Sequence, residues 1–324
     1  MRSLRVAVWG LGRHAITKIL PAISAVDGLE LYGVCSRNLS TTSSSAHKWN
    51  CMKWVDPTSM LCDPKVDIVY VSTPIGLHYQ QGKQVLDAKK HFWCEKPLTC
   101  KLEDTLELLE SAGNKGLSIC EGQMFLYHPQ YQKLIDYVES FQLGNILSID
   151  CKFGIPRLEN ESFRTNSSLG GGAFFDVGCY TVAAILGLFS KDEARLTYAK
   201  ISMPANNTVD TSGQALVTLS NGVNTNLEWR INCSYRNEIN IWGERGSLFT
   251  TRIFSKQPDY SPFFYLKDTQ GIESTENGLA GDHFQLMFQE FLGTIYDLKK
   301  AELERMQIMR RAVLMDQIWS LGRS

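Results

Sequence analysis

The apolar positions of the chain show two textures, and the change falls near residue 122. Before it, the short runs LRVAVW, LELYGVC, VDIVYVS, HFWCE and LSICEG are almost unbroken in apolar character. Strands buried on both faces read this way, without alternation. Between them, RHAITKILPAISAV, LHYQQGKQVLDAKK and KLEDTLELLESAGNKG carry apolar residues at helical spacing. Strand, helix, strand in repetition predicts an α/β domain with a parallel sheet wound on both sides, over residues 1–121. After it, LSIDCKFGI, QALVTLSNGVNTNLEWRINCSY, NEINIWGERGSLFTTRIF and PFFYLKD are longer runs with polar interruptions, joined by turn signals such as SNG and GERG. They predict an α+β domain with a large, mostly antiparallel open-faced sheet over residues 122–324. The tail from Asp282 to Trp319 returns to helical spacing, and SRNLSTTSSSAHK reads as a loop entering a helix.

Length agrees with two domains, because 324 residues exceed what one core usually serves. Hydrophobic residues at 44% and charged residues at 21% describe an ordinary soluble globular chain. Lys plus Arg (33) nearly balance Asp plus Glu (34), so no excess positive field is expected to hold nucleic acid or an anionic membrane, and a locally basic pocket is the alternative. The N-terminus lacks a signal-peptide apolar region. The run YTVAAILGLF is shorter than the ~20 residues of a membrane span. A cytoplasmic protein is expected. Its nine cysteines form no CxxC pair and no Cys/His cluster, so free thiols and no metal are expected.

VAVWGLGRHA places Gly10, Gly12 and Ala15 in a G-x-G-x-x-A array directly after a strand and at the start of a helix. The first glycine permits the tight turn, the second lets backbone approach a pyrophosphate, and the small third residue packs helix on strand. Arg13 and His14 share this turn, and the helix N-terminus offers free N–H groups. A Rossmann dinucleotide-binding domain follows. The second strand ends in VCSRN, where a site selective for NAD would carry an acid. Ser36 and Arg37 stand there instead, and a hydroxyl with a guanidinium suits a 2′-phosphate, so NADP is favoured over NAD. The alternative is an Arg37 that stacks on adenine or faces solvent.

A second constellation, VSTPIGLHYQQGKQVLDAKKHFWCEKPLT, ends one strand in Ser72-Thr73-Pro74, opens a helix near His78 and ends the next strand in Glu95-Lys96-Pro97. It resembles the glucose-fructose oxidoreductase / inositol dehydrogenase / MocA family, whose members carry a TP-x-x-x-H segment and an EKP signature at this spacing. The resemblance continues through GGGAFFDVGCY to IWGERGSLF. Independently of it, residues at the carboxyl ends of parallel strands line the crevice that takes a dinucleotide, so Ser72, Thr73, Glu95 and Lys96 are expected to face the cofactor. Pro74 and His78 complete that set. The residue before a proline is confined to extended geometry, which directs Lys96, and a cis Lys96-Pro97 bond is an open alternative.

The resemblance implies that GGGAFFDVGCY, Gly170 to Tyr180, opens a helix facing the nicotinamide, with Asp176 and Tyr180 as its functional pair. Their i, i+4 spacing alone puts them on one helical face, leaving Phe175, Val182, Ile185, Leu186 and Phe189 for the core. Moving a hydride to or from a carbinol carbon requires a proton carrier at the oxygen. Tyr180 is expected to serve as acid, Lys96 to bind the same oxygen and lower the phenol's pKa, and Asp176 to orient the substrate or Lys96. Many relatives have His at the position of Tyr180. In EGQMFLYHPQY, Leu126 stands where sugar-acting relatives place arginine, and the neighbouring Tyr127 is a substrate-contact candidate. Arg164 is a candidate for an anionic substrate group or a surface residue.

The expected activity is NAD(P)-dependent oxidoreduction at a hydroxyl or keto carbon of a sugar, nucleotide sugar, cyclitol or diol. A cofactor-bound regulator without turnover and a dihydrodiol or biliverdin-type reductase are the alternatives. The resemblance also implies pairing through the open sheet face, as a homodimer or homotetramer.

Overall fold

The computed structural model describes residues 2–157, 163–205 and 207–323. The chain divides into two compact units, Met1–Gly122 with Phe284–Met309, and Gln123–His283 with Arg310–Ser324.

In the first unit, the apolar runs become β1 (Leu4–Trp9), β2 (Leu29–Cys35), β3 (Met52–Trp54), β4 (Ile68–Val71), β5 (His91–Cys94) and β6 (Ile119–Glu121). Their order is β3-β2-β1-β4-β5-β6, and every neighbouring pair is parallel. The order reverses between β1 and β4, which opens a crevice at their carboxyl ends. The helices are α1 (Leu20–Ala25), α2 (Leu39–Trp49), α3 (Pro57–Cys62), α4 (His78–Asp87) and α5 (Leu102–Lys115). Serine-rich α2 forms because Asn38 caps it, its side chain accepting from Thr41 N–H at 3.0 Å.

The second unit begins with a 3₁₀ turn, Met124–Tyr127, and α6 (Pro129–Glu139). Its sheet contains β7 (Ile146–Ile155) and, after α7 (Cys179–Leu188), β8 (Ala194–Ser202), β9 (Ser212–Leu219), β10 (Asn224–Ile231), β11 (Arg236–Gly243), β12 (Gly246–Thr251), β13 (Phe263–Asp268) and β14 (Glu273–Asn277). The order is β14-β13-β12-β11-β7-β10-β9-β8, and only β7 with β10 is parallel. α7 packs on those two central strands. Alternate residues such as Ile149, Cys151, Leu227 and Trp229 are buried under it, while Asp150, Lys152, Asn226 and Glu228 occupy the open face.

The helical tail forms α8 (His283–Tyr296) and α9 (Leu298–Gly322), and it corrects the expected division into 1–121 and 122–324. Phe284–Met309 groups with the first unit because Phe288 and Phe291 stand 6.0 and 5.5 Å from the Trp93 ring, and Phe288 stands 5.2 Å from Tyr70. Helical spacing shows that a face must be buried but not which core receives it. The stretch Ser167–Leu188 is longer than the run read from the sequence and is apolar enough to cross a membrane, yet 94% of its apolar window is buried in the protein.

Candidate active site

The chain leaves β1 through Gly10, whose N–H donates to Cys35 O at 2.9 Å. Its φ is +107°, and a Cβ there would stand 2.6 Å from Ser72 O, so both backbone angle and space demand glycine. Gly12 differs, because a Cβ there would meet nothing within 4 Å. Internal packing does not explain it. Ala15 is fully buried and opens a helical turn that continues into α1, with Ile16 N–H on Gly12 O at 3.1 Å. Arg13 and His14 are exposed beside this start.

At the end of β2, Ser36 is half-buried and Arg37 is exposed. Ser36 Oγ accepts from Asn38 N–H at 3.3 Å, which ties the hydroxyl to the start of α2. At the end of β4, Ser72 N–H donates to Trp9 O at 2.8 Å and Thr73 Oγ1 donates to Gln81 Oε1 at 2.5 Å. Pro74 leads into the 3₁₀ turn before α4.

Glu95, after β5, receives the Tyr70 hydroxyl at 2.7 Å and lies 3.0 Å from His14 Nε2. Burial pushes its carboxyl up, but His14, the Tyr70 hydrogen bond and Lys96 outweigh burial and bring it to about 2. Lys96 is half-buried, and the Lys96-Pro97 bond is cis. The loop around it is tied on several sides. Glu95 N–H donates to Val71 O at 2.9 Å, Leu98 N–H to Glu121 Oε1 at 2.8 Å, and Gly122 N–H to Cys94 O at 2.8 Å.

His78 departs from its expected cofactor contact. It is wholly buried, with Nδ1 3.1 Å from Pro97 O and Nε2 2.9 Å from Thr73 O. It therefore ties the two strand-end loops together, and burial lowers its pKa against those carbonyls. Glu121 is a further strand-end acid beside those expected from the sequence. The available signal was an acid closing the otherwise apolar run LSICEG, buried at 3% exposure.

In the second unit, Gly170 and Gly172 take φ of +75° and +117°. A Cβ on Gly171 would stand 2.6 Å from Arg164 O, and one on Gly172 would strike the Asp210 carboxylate. The three glycines thus let the segment pass between the Arg164 loop and Asp210 before the helix starts. That helix opens as a π-turn, Phe174–Gly178, and continues as α7. The wider turn means that Asp176 and Tyr180 do not repeat simple α-helical stacking. The expected division into a functional and a core face also gives way, since Cys179 to Leu186 are buried all round.

Asp176, at 5% exposure, accepts from Arg164 Nε at 2.5 Å and from its second arm at 3.4 Å. Arg164 is therefore neither a bare surface residue nor an uncommitted anion site, because its charge answers Asp176. Tyr180 is 8% exposed and sits among aromatic rings, with centroids of Phe153, Phe254 and Phe125 at 5.3, 5.6 and 5.8 Å. Its hydroxyl lies 3.8 Å from Met124 Sδ. Tyr127 is half-buried on the 3₁₀ turn.

A parallel sheet in this order, with a glycine turn at the point where the order reverses, defines a Rossmann-type dinucleotide-binding protein. The family model described as "Oxidoreductase family, NAD-binding Rossmann fold" matches residues 4–123, and the GFO/IDH/MocA C-terminal domain matches 131–249. The chain belongs to the GFO/IDH/MocA oxidoreductase family. It is 30% identical over 263 residues to a dTDP-3,4-didehydro-2,6-dideoxy-alpha-D-glucose 3-reductase from Saccharopolyspora spinosa, covering 80% of this chain and 78% of that one. It is 28% identical to a D-xylose 1-dehydrogenase (NADP(+)) from Haloferax volcanii, covering 83% and 79%. KijD10, a 3-ketoreductase from Actinomadura kijaniata solved with NADP and TDP-benzene, superposes with a TM-score of 0.92 at 27% identity, over 99% of this chain and 98% of that one. Other structures of KijD10 carry a tyrosine-to-phenylalanine or a lysine-to-alanine substitution.

Proposed function

We propose that the protein is an NADP-dependent reductase of a keto carbon on a nucleotide-linked sugar. The observation that carries this reading is the end-to-end similarity to a 3-ketoreductase solved with NADP and a TDP ligand. Gly10, Gly12, Arg13 and the N–H groups before α1 would hold the pyrophosphate, and the open space at Gly12 fits that use. Ser36 and exposed Arg37 would take the 2′-phosphate. Thr73 and Glu95 would border the same cofactor from the strand ends.

When bound, the nicotinamide supplies the hydride to the carbonyl carbon. Tyr180 would donate the proton to the carbonyl oxygen, and Lys96 would offset negative charge that builds in the reduction. Asp176, steadied by Arg164, accepts from a sugar hydroxyl and fixes the ring.

The test is an assay with deuterium-labelled NADPH, a TDP-linked 3-keto sugar, and free pentoses and hexoses, with NMR of the product. The expected result is deuterium at the former keto carbon, with kcat/KM for the TDP-linked sugar on the order of 100-fold above that for free sugars. Turnover confined to free sugars with NADP would replace this reading with a sugar dehydrogenase. NADPH binding without turnover of any sugar would restore the regulator.

A further inference from the structure

The helix bearing Asp176 and Tyr180 starts where backbone N–H groups have no partner within the helix. No residue of its own segment caps them with a side chain. The partner comes from far along the chain, from the link between β8 and β9. Asp210 is fully buried. Its Oδ2 accepts from Phe174 N–H at 2.8 Å, and its own carbonyl accepts from Ala173 N–H at 3.0 Å. A Cβ on Gly172 would collide with its Oδ1, so the glycine exists to admit this carboxylate. The Trp229 indole favours the charged form from outside close hydrogen-bond geometry.

We propose that Asp210 is a positioning residue for the reaction, a cap supplied from another element that fixes the first turn of the helix carrying Asp176 and Tyr180. This rests on the reading of Tyr180 as proton donor. A carboxylate at a helix N-terminus binds the free N–H groups and opposes the positive end of the dipole. Opening the turn would hydrate the carboxyl, so its proton is held more tightly while the turn is closed. Burial raises the Asp210 carboxyl to about 6, against the pull of the Phe174, Asp210 and Ala173 N–H groups and the Trp229 indole. On the helix start, the charged neighbours are Asp176 and its partner Arg164. On β10, Glu228 and Arg230 alternate to the open face, away from Trp229, and β9 carries no charged side chain. Lys256 is pushed down by burial to about 7.

The experiment compares wild type, Asp210→Asn and Tyr180→Phe with NADPH and the TDP-linked 3-keto sugar from pH 5 to 8.5. Amide hydrogen exchange of residues 173–180 is followed without substrate. Asparagine keeps one acceptor for Phe174 N–H and removes a buried charge, so the variant should fold. In Asp210→Asn, kcat at pH 7.5 should drop on the order of 10-fold with KM for NADPH unchanged. Exchange at residues 173–180 should rise on the order of 10-fold, with β10 unaffected. An Asp210→Asn enzyme with wild-type kcat and exchange, beside an inactive Tyr180→Phe, overturns this proposal alone. Full activity of Tyr180→Phe overturns the proton-donor reading. If Asp210→Asn does not fold, the wild-type exchange profile decides: the raised carboxyl makes the closed turn hold its proton more tightly than the open one, so protection of residues 173–180 should rise from pH 7 to 5, and a flat profile rejects the cap.

Discussion

Gly10 and Gly12 share one turn, yet the structure requires them for different reasons. Alanine at position 10 meets Ser72 and Thr73 and must hold a positive φ, so Gly10→Ala should lower stability by at least ~1–3 kcal/mol in urea unfolding. Alanine at position 12 enters open space at an ordinary φ. Gly12→Ala should therefore shift stability by less than about 0.5 kcal/mol while weakening NADPH binding in titration calorimetry. Glu95 gives a pH prediction with a definite sign. Its folded pKa lies below the unfolded value, so the stabilisation is present above about pH 4.5 and is lost as pH falls toward 2. Glu95→Gln should cost roughly 3 kcal/mol at pH 7 and almost nothing at pH 2. Residue types at strand ends were legible in the sequence, because topology dictates what strand ends do. The partners of His78 and Arg164 were not legible, because a carbonyl 19 residues away and a carboxylate 12 residues away are joined by tertiary folding.

The helix from Phe174 to Leu188 sits on β7 and β10, and its opening turn is wide where Gly178 meets the Trp229 ring. A Cβ at Gly178 would stand 2.8 Å from Phe174 and 3.0 Å from Trp229. Gly178→Ala should thus cost ~1–3 kcal/mol through overpacking and reduce kcat more than it raises KM for NADPH. The apolar runs of the first unit became its strands nearly as read, since continuous burial leaves an unambiguous pattern. β8 went unread because its alternation breaks where the register shifts between Leu196 and Tyr198, as at a bulge. β3 and β14 escaped because three exposed or half-exposed residues and a wholly exposed edge carry no hydrophobic signal.

On the scale of the whole molecule, the first unit borrows Phe284–Met309 from the far end of the chain. Phe288→Ala, which uncovers Trp93 and Tyr70, should cost about 3–5 kcal/mol and red-shift tryptophan emission. A chain ended after Gly122 should fail to give a cooperative unfolding transition. The open face of the second sheet is polar at its centre, where Asn226 bonds Asp150 at 3.1 Å, and carries Trp242 and Tyr265 toward one edge at 59% and 48% exposure. We propose that this face pairs subunits. Light scattering should give at least twice the monomer mass, and Trp242→Glu with Tyr265→Glu should reduce it to the monomer.

We propose that Lys96 and Tyr180 both serve the reduction by NADPH. Single-turnover oxidation of NADPH by the TDP-linked 3-keto sugar, followed at 340 nm in wild type, Lys96→Ala and Tyr180→Phe, distinguishes this from a merely structural role. The expected result is a rate loss on the order of 100-fold or more in each variant, with the Kd for NADPH unchanged in Tyr180→Phe. Wild-type rates in both variants would overturn the assignment.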